Sequence, residues 1–359
     1  MKNQAVANPT IVQRTGTMKL QRPTWWGKDL TKEKITRELT AEQWAVIDDL
    51  LQVVKARGTK LEGITKAQFS HAKIDGTLAD ILREIRYGRG AVLLRGFPVG
   101  KYDLMDIQRA YIGIGCHSGI PISQNTRGEI LGHVTDKKSG PYGKKNEKGE
   151  VVLRGYENNS ELDLHTDAAD LAVLLCIRKA KSGGMSTIAD ALKVYEIMVK
   201  EFPKELALLE KGWPTHRRNE QAPGDAKVTP YNVPAFAWKD GLLSCKKNTV
   251  AAHSSALELL GLDGLDDDSL AALNCFEAVA GRPEVKCDFQ LEPGDILYLN
   301  NFEFLHARTN YVDWDDDTQK RLLLRLWLEY DPPRPINPDM LTFRNKSGFK
   351  GVDKILQTA

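Results

Sequence analysis

At 359 residues, with 42% hydrophobic and 27% charged side chains, the chain can bury a substantial core as one large domain or two ordinary ones. Lys plus Arg (50) and Asp plus Glu (48) nearly cancel to a net charge of +2, which gives no support to a nucleic-acid or membrane-surface partner. No run of about 18 apolar residues occurs, so no transmembrane helix is expected. The five cysteines are scattered and include no CxxC pair, which fits reduced thiols in a cytoplasmic protein better than a disulfide framework or a thiolate zinc site.

Residues 1–38 carry no clean period and read as an N-terminal arm whose Trp25-Trp26 pair packs on the body. Thr40-Ala-Glu-Gln43 reads as a capping box. Trp44, Ile47, Leu51 and Val54 follow at helical spacing and Gly58 stops the helix. Leu78, Ile81, Leu82 and Ile85 mark a second helix ending at Gly88, so residues 39–89 form an N-terminal helical region. Gly90 to Gly96 encloses a short apolar run that reads as a buried strand, and a third helix is expected from Asp103 to Ile114. Cys116 to Asp136 looks like loop with short strands, and Lys137 to Lys148, rich in Lys, Gly, Ser and Asn, is a flexible-loop candidate.

Strands then dominate: Val151–Arg154, the stretch around His165, Leu171–Ile177, and Met185–Ile188 after the Gly183-Gly184 turn. Asp190 caps a helix through Met198 and Pro203 opens another through Lys211. Short hairpins are expected from Gly212 to Val250, helices at Leu257–Leu260 and Ser269–Ala280, and strands at Val285–Leu291, Asp295–Leu299 and Leu322–Glu329. This order predicts a mainly β protein with α additions, a double-stranded β-helix (jelly-roll) barrel over 90–330. A helical insertion at about 190–284 separates its two halves, a tail occupies 331–359, and the whole chain reads as a single domain. Neither GxGxxG nor GxxxxGKS occurs, so nucleotide-binding α/β folds have no support.

His165 and Asp167 stand two residues apart, and in an extended strand such positions share a face. On its own the triplet is weak, and an N-cap Asp beside a hydrogen-bonded His is the favoured reading of it. His306 has the most strand-like setting of the other histidines, and two histidines with one carboxylate make a facial triad for non-haem Fe(II). Arg321 and Arg325, four apart on an apolar strand, face one way with Leu323. Buried guanidinium needs an anion, and its planar fork suits a carboxylate. Ordinary Arg–Glu pairing is the plainer reading of that pair. Gly183-Gly-Met-Ser-Thr187 places a hydroxyl near a strand start as a second donor, or is a simple turn followed by a β-favouring Thr.

As an ordered set, these residues and the lead-in of Gly294, Asp295 and Asn301 before His306 resemble the taurine dioxygenase/TfdA-like family of Fe(II)/2-oxoglutarate oxygenases. The likeness runs from roughly Gly90 to Leu328. The long loop between His306 and Arg321 is similar to that of the clavaminate-synthase-like branch, which often uses Glu where this chain has Asp167. The resemblance implies that His165, Asp167 and His306 bind Fe(II), and that Arg321, with Thr187 as helper, pairs with the distal carboxylate of 2-oxoglutarate. Arg325 then serves either an anionic group of the substrate or 2-oxoglutarate. Asn158, Asn159, Glu161 and Gln124 are the implied substrate contacts. The implied reaction uses O2, releases succinate and CO2, and hydroxylates or desaturates an unactivated C–H bond of a small polar metabolite such as an amino-acid derivative. A catalytically silent jelly-roll ligand-binding protein is the alternative, and homo-oligomerisation stays open.

Overall fold

The computed structural model describes residues 20–125, 127–138, 155–221 and 224–342. In chain order its first strands are β1 (Thr36–Glu38), β2 (Ala91–Arg95), β3 (Ile120–Pro121), β4 (Leu131–Val134), β5 (Leu162–His165), β6 (Leu171–Arg178), β7 (Ser182–Gly183) and β8 (Ser186–Asp190). There follow β9 (Phe236–Lys239), β10 (Leu242–Cys245), β11 (Lys286–Phe289), β12 (Ile296–Asn300), β13 (Phe304–Arg308), β14 (Tyr311–Val312) and β15 (Leu322–Glu329). Two sheets carry the architecture. The larger runs β1-β2-β12-β6-β15-β3 with β4 also on β15, and the smaller runs β11-β8-β13-β5. The expected strand 151–154 and most of the expected loop 137–148 lie outside the described residues.

Period-two alternation explains why the two sheets stack. On β15, Leu322, Leu324, Leu326 and Leu328 turn outward with Leu171, Val173 and Leu175 of β6 and Ile296 and Tyr298 of β12, onto the N-terminal helices. The intervening residues turn inward. Leu93, Cys176, Leu297, Leu299 and Leu323 of the large sheet there meet Ile188, Phe289 and Phe304 of the small one. The outer face of the small sheet, with Leu164, Ala189 and Leu305, is covered by the helices between β8 and β11. The result is helices, sheet, sheet and helices in four layers, with β5, β8, β13 and β15 presenting polar side chains to one end of the inner space.

The helices follow their caps. Helix α1 (Lys32–Ile35) is a single turn, whereas α2 (Ala41–Ala56) begins with the capping box, Thr40 and Gln43 each bonding the other's main-chain N–H. α3 (Ala72–Tyr87) ends at Gly88, α4 (Leu104–Gly115) is capped by Asp103, and Asp190 caps α5 (Ala191–Glu201). α6 (Pro203–Lys211), α7 (Val250–Leu259) and α8 (Asp267–Ala280) complete the set. Besides the short elements α1, β7 and β14 and the strand β13, two elements differ from the sequence reading. β1 pairs in parallel with β2 at the edge of the large sheet, and its three residues, Thr36 and the exposed Arg37 and Glu38, give no apolar signal. Helix α7 starts at Val250 behind an N-cap from Thr249, seven residues earlier than its apolar run suggests.

From Leu20 onward the arm is tied down by charge. Arg22 donates to Asp190 through both terminal nitrogens (2.9 and 3.1 Å) and to Glu303 through Nε (2.7 Å), and Arg334 reaches Glu303 from the C-terminal side. All four are buried, so removing one partner strands a charge away from water. Arg22→Ala is expected to cost about 3–5 kcal/mol of unfolding free energy. A urea melt checks this; a loss below about 1 kcal/mol would show the cluster is well hydrated.

Candidate metal and co-substrate site

β13 pairs with β5 in antiparallel register so that His306 lies opposite His165, with ring centroids 4.3 Å apart. Asp167 stands just past the end of β5, and its Oδ2 is 3.7 Å from Nε2 of His306. One donor atom from each of the three lies within 4.8 Å of the others. Asn301, fully buried in the turn before β13, fixes this geometry: its Oδ1 accepts from the Asp167 N–H (2.8 Å), and its Nδ2 donates to the carbonyls of Asp167 (3.0 Å) and Ala169 (2.7 Å). The buried ammonium of Lys246 also donates to the Asp167 carbonyl at 2.6 Å.

The protonation states suit a divalent cation. Burial, then the neighbouring His306, pushes His165 down to about 3, and burial likewise lowers His306, so both imidazoles are neutral at pH 7. Nδ1 of His165 is engaged with the Asp163 carbonyl (2.8 Å), which leaves Nε2 as the lone-pair nitrogen. Burial opposes ionisation of Asp167, but Arg325, His306 and His165 overcome it and hold the carboxyl well below its usual range. Two neutral imidazoles and an ionised carboxylate are the donor set that Fe(II) takes in facial coordination.

The Asp167 carboxylate has two further partners, Nη1 of Arg325 on Oδ1 (3.1 Å) and Nε1 of Trp327 on Oδ2 (2.9 Å). Both come from β15, at the inward positions of the same alternation that places Leu323. Trp327 was not anticipated, although its two-residue offset from Arg325 is the signal that reveals it. Trp327→Phe removes one oriented donor while keeping the packing. Outer-shell losses of this kind cost about 10–100-fold in metal affinity. We expect about tenfold weaker binding in a metal titration, with little change in the melting of the metal-free protein.

Arg321 sits at the other end of this face, 4% exposed, with no carboxylate salt bridge among the described residues and with Nη1 lacking any hydrogen-bond partner. Its guanidinium lies over Tyr311, 5.0 Å from the ring centroid, and burial lowers its proton affinity. A buried cation with an unused N–H fits an anionic ligand. The Gly183-Gly184 turn makes room for it. Both glycines have positive φ, a Cβ on Gly183 would meet the Asn310 carbonyl at 2.3 Å, and one on Gly184 would come within 3.2 Å of Arg321 Nε.

The hydroxyl expected beside Arg321 needs correction. Thr187 pairs with Ala307, the outward residue between His306 and Arg308, and its Oγ1 donates to Asp288 on β11 at 2.5 Å. It therefore faces away from the triad. Ser186 pairs with Arg308 and faces inward, and its hydroxyl makes no hydrogen bond among the described residues. A one-residue difference in register along β8 exchanges the two faces.

The implied substrate contacts have separate fates. Gln124 accepts from Arg325 Nε (2.8 Å) and donates to the carbonyls of Ile130 (3.0 Å) and Arg325 (2.6 Å), so its polar atoms are spent on orienting Arg325. Asn159 donates to the Tyr311 carbonyl at 3.2 Å. Asn158 is buried with Nδ2 unpartnered, and Glu161 is exposed beside the mouth of β5.

The chain matches the family described as taurine catabolism dioxygenase TauD, TfdA family over residues 56–327. It is 31% identical over 269 residues to FR-33289 synthase of Streptomyces rubellomurinus, covering 74% of this chain and 77% of that protein. Against the taurine hydroxylase-like protein SAT17 of Stachybotrys chartarum it is 25% identical over 342 residues, covering 93% and 83%. Among solved structures it is similar to asparagine oxygenase in complex with Fe(II), hydroxyasparagine and succinate, with TM-score 0.61, 15% identity and 82% and 93% coverage. It is also similar to the non-haem iron oxygenase OrfP in complex with Fe and α-ketoglutaric acid, with TM-score 0.57, 13% identity and the same coverage. Those two likenesses bear on the jelly-roll fold, whereas the family match and the curated relatives bear on the activity. The chain thus belongs to the TauD/TfdA family and is an Fe(II)/2-oxoglutarate-dependent oxygenase.

Proposed function

We propose that this enzyme hydroxylates an unactivated C–H bond of a small polar substrate, an amino-acid derivative, with His165, Asp167 and His306 holding Fe(II). The observation that carries the reading is the convergence of these three donors within 4.8 Å of one another on the same inner face as the unpaired Arg321. Bound there, Fe(II) and 2-oxoglutarate would activate O2 for oxidation of the C–H bond, one oxygen atom going into succinate as the co-substrate loses CO2. The chain's own residues do the rest. Arg321 takes the distal carboxylate of 2-oxoglutarate, with Ser186 in place of Thr187 as its hydroxyl neighbour. Trp327 and Gln124-held Arg325 keep Asp167 ionised and aimed, and the apolar inner wall of Ile188, Leu299, Phe304 and Leu323 limits water.

An amino-acid framework is supported by the ligands named in complexes of the structural neighbours, 3-hydroxyasparagine and L-Arg, by the Asn158 Nδ2 that has no hydrogen-bond partner among the described residues, and by the exposed Glu161, groups suited to an amide or ammonium. Gln124 and Asn159 are committed to the protein and support the wall instead. Five free cysteines fit a reducing, cytoplasmic setting, and no helix among the described residues is long and apolar enough to cross a membrane. The test is a panel of free and N-substituted amino acids scored by succinate release and by a product heavier by one oxygen. Co-substrate binding without stimulated turnover across the panel would sink the substrate class. Failure to bind 2-oxoglutarate would favour a silent ligand-binding jelly roll.

A further inference from the structure

Arg308, two residues beyond His306 and on the same inward face, is 5% exposed. Like Arg321 it has no carboxylate salt bridge among the described residues, and its Nε and Nη1 are unpartnered. Both guanidiniums lie over one aromatic ring, that of Tyr311, at 4.7 Å for Arg308 and 5.0 Å for Arg321. Two like charges sharing a buried ring repel each other, and an anion on either relieves that repulsion.

Two of these residues, Arg308 and Tyr311, grip the segment that leads into β5. Nη2 of Arg308 donates to the carbonyls of Asn158 (3.1 Å) and Ser160. Tyr311 and Asn159 exchange two bonds, Tyr311 N–H to the Asn159 carbonyl (3.1 Å) and Asn159 Nδ2 to the Tyr311 carbonyl (3.2 Å). The Tyr311 hydroxyl reaches the Asn158 carbonyl at 3.5 Å. One cluster therefore touches the candidate co-substrate arginine on one side and the candidate substrate wall on the other.

We propose that Tyr311 and Arg308 are positioning residues that transmit occupancy of Arg321 by the 2-oxoglutarate carboxylate to the segment Asn158–Ser160, so that co-substrate binding orders the substrate wall. The proposal rests on the reading of Arg321 given above. Neutralising Arg321 removes the repulsion across Tyr311, and Arg308 and the ring then settle against the three main-chain carbonyls. Linkage makes the effect reciprocal: a substrate that stabilises the segment tightens 2-oxoglutarate by the same factor.

The test is hydrogen exchange of peptides covering 156–162 in the anaerobic Fe(II) protein, with and without 2-oxoglutarate, alongside a binding titration. In the wild type, 2-oxoglutarate is expected to slow exchange there about tenfold. In Arg308→Gln the slowing disappears while the dissociation constant rises no more than about threefold, because Arg321 is intact. Arg308→Lys, which keeps the charge and one donor, restores part of the slowing; a purely structural role would not make the co-substrate response depend on it. Where Arg308→Gln does not fold, Arg308→Lys decides alone, by giving less than half the wild-type slowing. Three results overturn the proposal: full slowing in the variants, binding without slowing in the wild type, or loss of binding in Arg308→Gln as complete as in Arg321→Ala. A wild type that binds no 2-oxoglutarate overturns both this proposal and the Arg321 reading, and the titration tells that case apart.

Discussion

Arg321→Ala is expected to raise the dissociation constant for 2-oxoglutarate by at least about 30-fold, because removing one partner of a buried, hydrogen-bonded charge pair costs about 2–5 kcal/mol. The same residue should be a burden on the empty protein. Its guanidinium is buried, has a free Nη1 and faces Arg308 across Tyr311, and neither arginine has a carboxylate salt bridge among the described residues. Arg321→Met, which fills similar volume without charge, is expected to stabilise the ligand-free fold by about 1–2 kcal/mol while abolishing co-substrate binding. A paired measurement of melting and 2-oxoglutarate affinity checks both signs. Lower stability with affinity intact would mean that Arg321 is a structural cation.

Asp167→Ala should have the larger effect on turnover. It removes the only carboxylate of the donor set among the described residues and leaves Arg325 and Trp327 aimed at nothing. Loss of a direct ligand exceeds the roughly 10–100-fold that follows loss of an outer partner, so succinate release should fall to background. The metal-free protein should also lose about 3–5 kcal/mol, the cost of stranding a buried ion-pair partner. Metal-dependent stabilisation, present in the wild type by mass action, should vanish. Asp167→Asn separates the two effects: its amide oxygen still accepts from Trp327, so less stability is lost, whereas iron binding stays impaired. Turnover above a tenth of wild type in Asp167→Ala would place the metal elsewhere.

Much of the fold and site was legible because two sequence rules act strongly here. Caps at Thr40, Asp103 and Asp190 mark helix starts through local hydrogen bonds that no distant contact overrides. Strict alternation on β15 separates four outward leucines from Arg321, Leu323, Arg325 and Trp327. What stayed hidden depends on register between strands far apart in sequence. Whether Ser186 or Thr187 faces the site is decided by β8 pairing with β13, and sequence around the Gly-Gly turn does not encode that partner. Arg308 lies within reach of the same period-two argument that selects His306, but its importance appears only when Tyr311 brings it beside Arg321. The edge strand β1 escaped because pairing at an edge requires backbone groups and no apolar side chains.

The most direct test of the metal and co-substrate assignment is an anaerobic titration of the metal-free protein with Fe(II) and 2-oxoglutarate, following the weak visible metal-to-ligand charge-transfer band. It requires no knowledge of the substrate. That assignment requires a band in the wild type, none in Asp167→Ala, and in Arg321→Ala a band only at far higher 2-oxoglutarate. A folded wild-type protein that binds iron but shows no band at saturating 2-oxoglutarate, or a band unchanged in both variants, would contradict it.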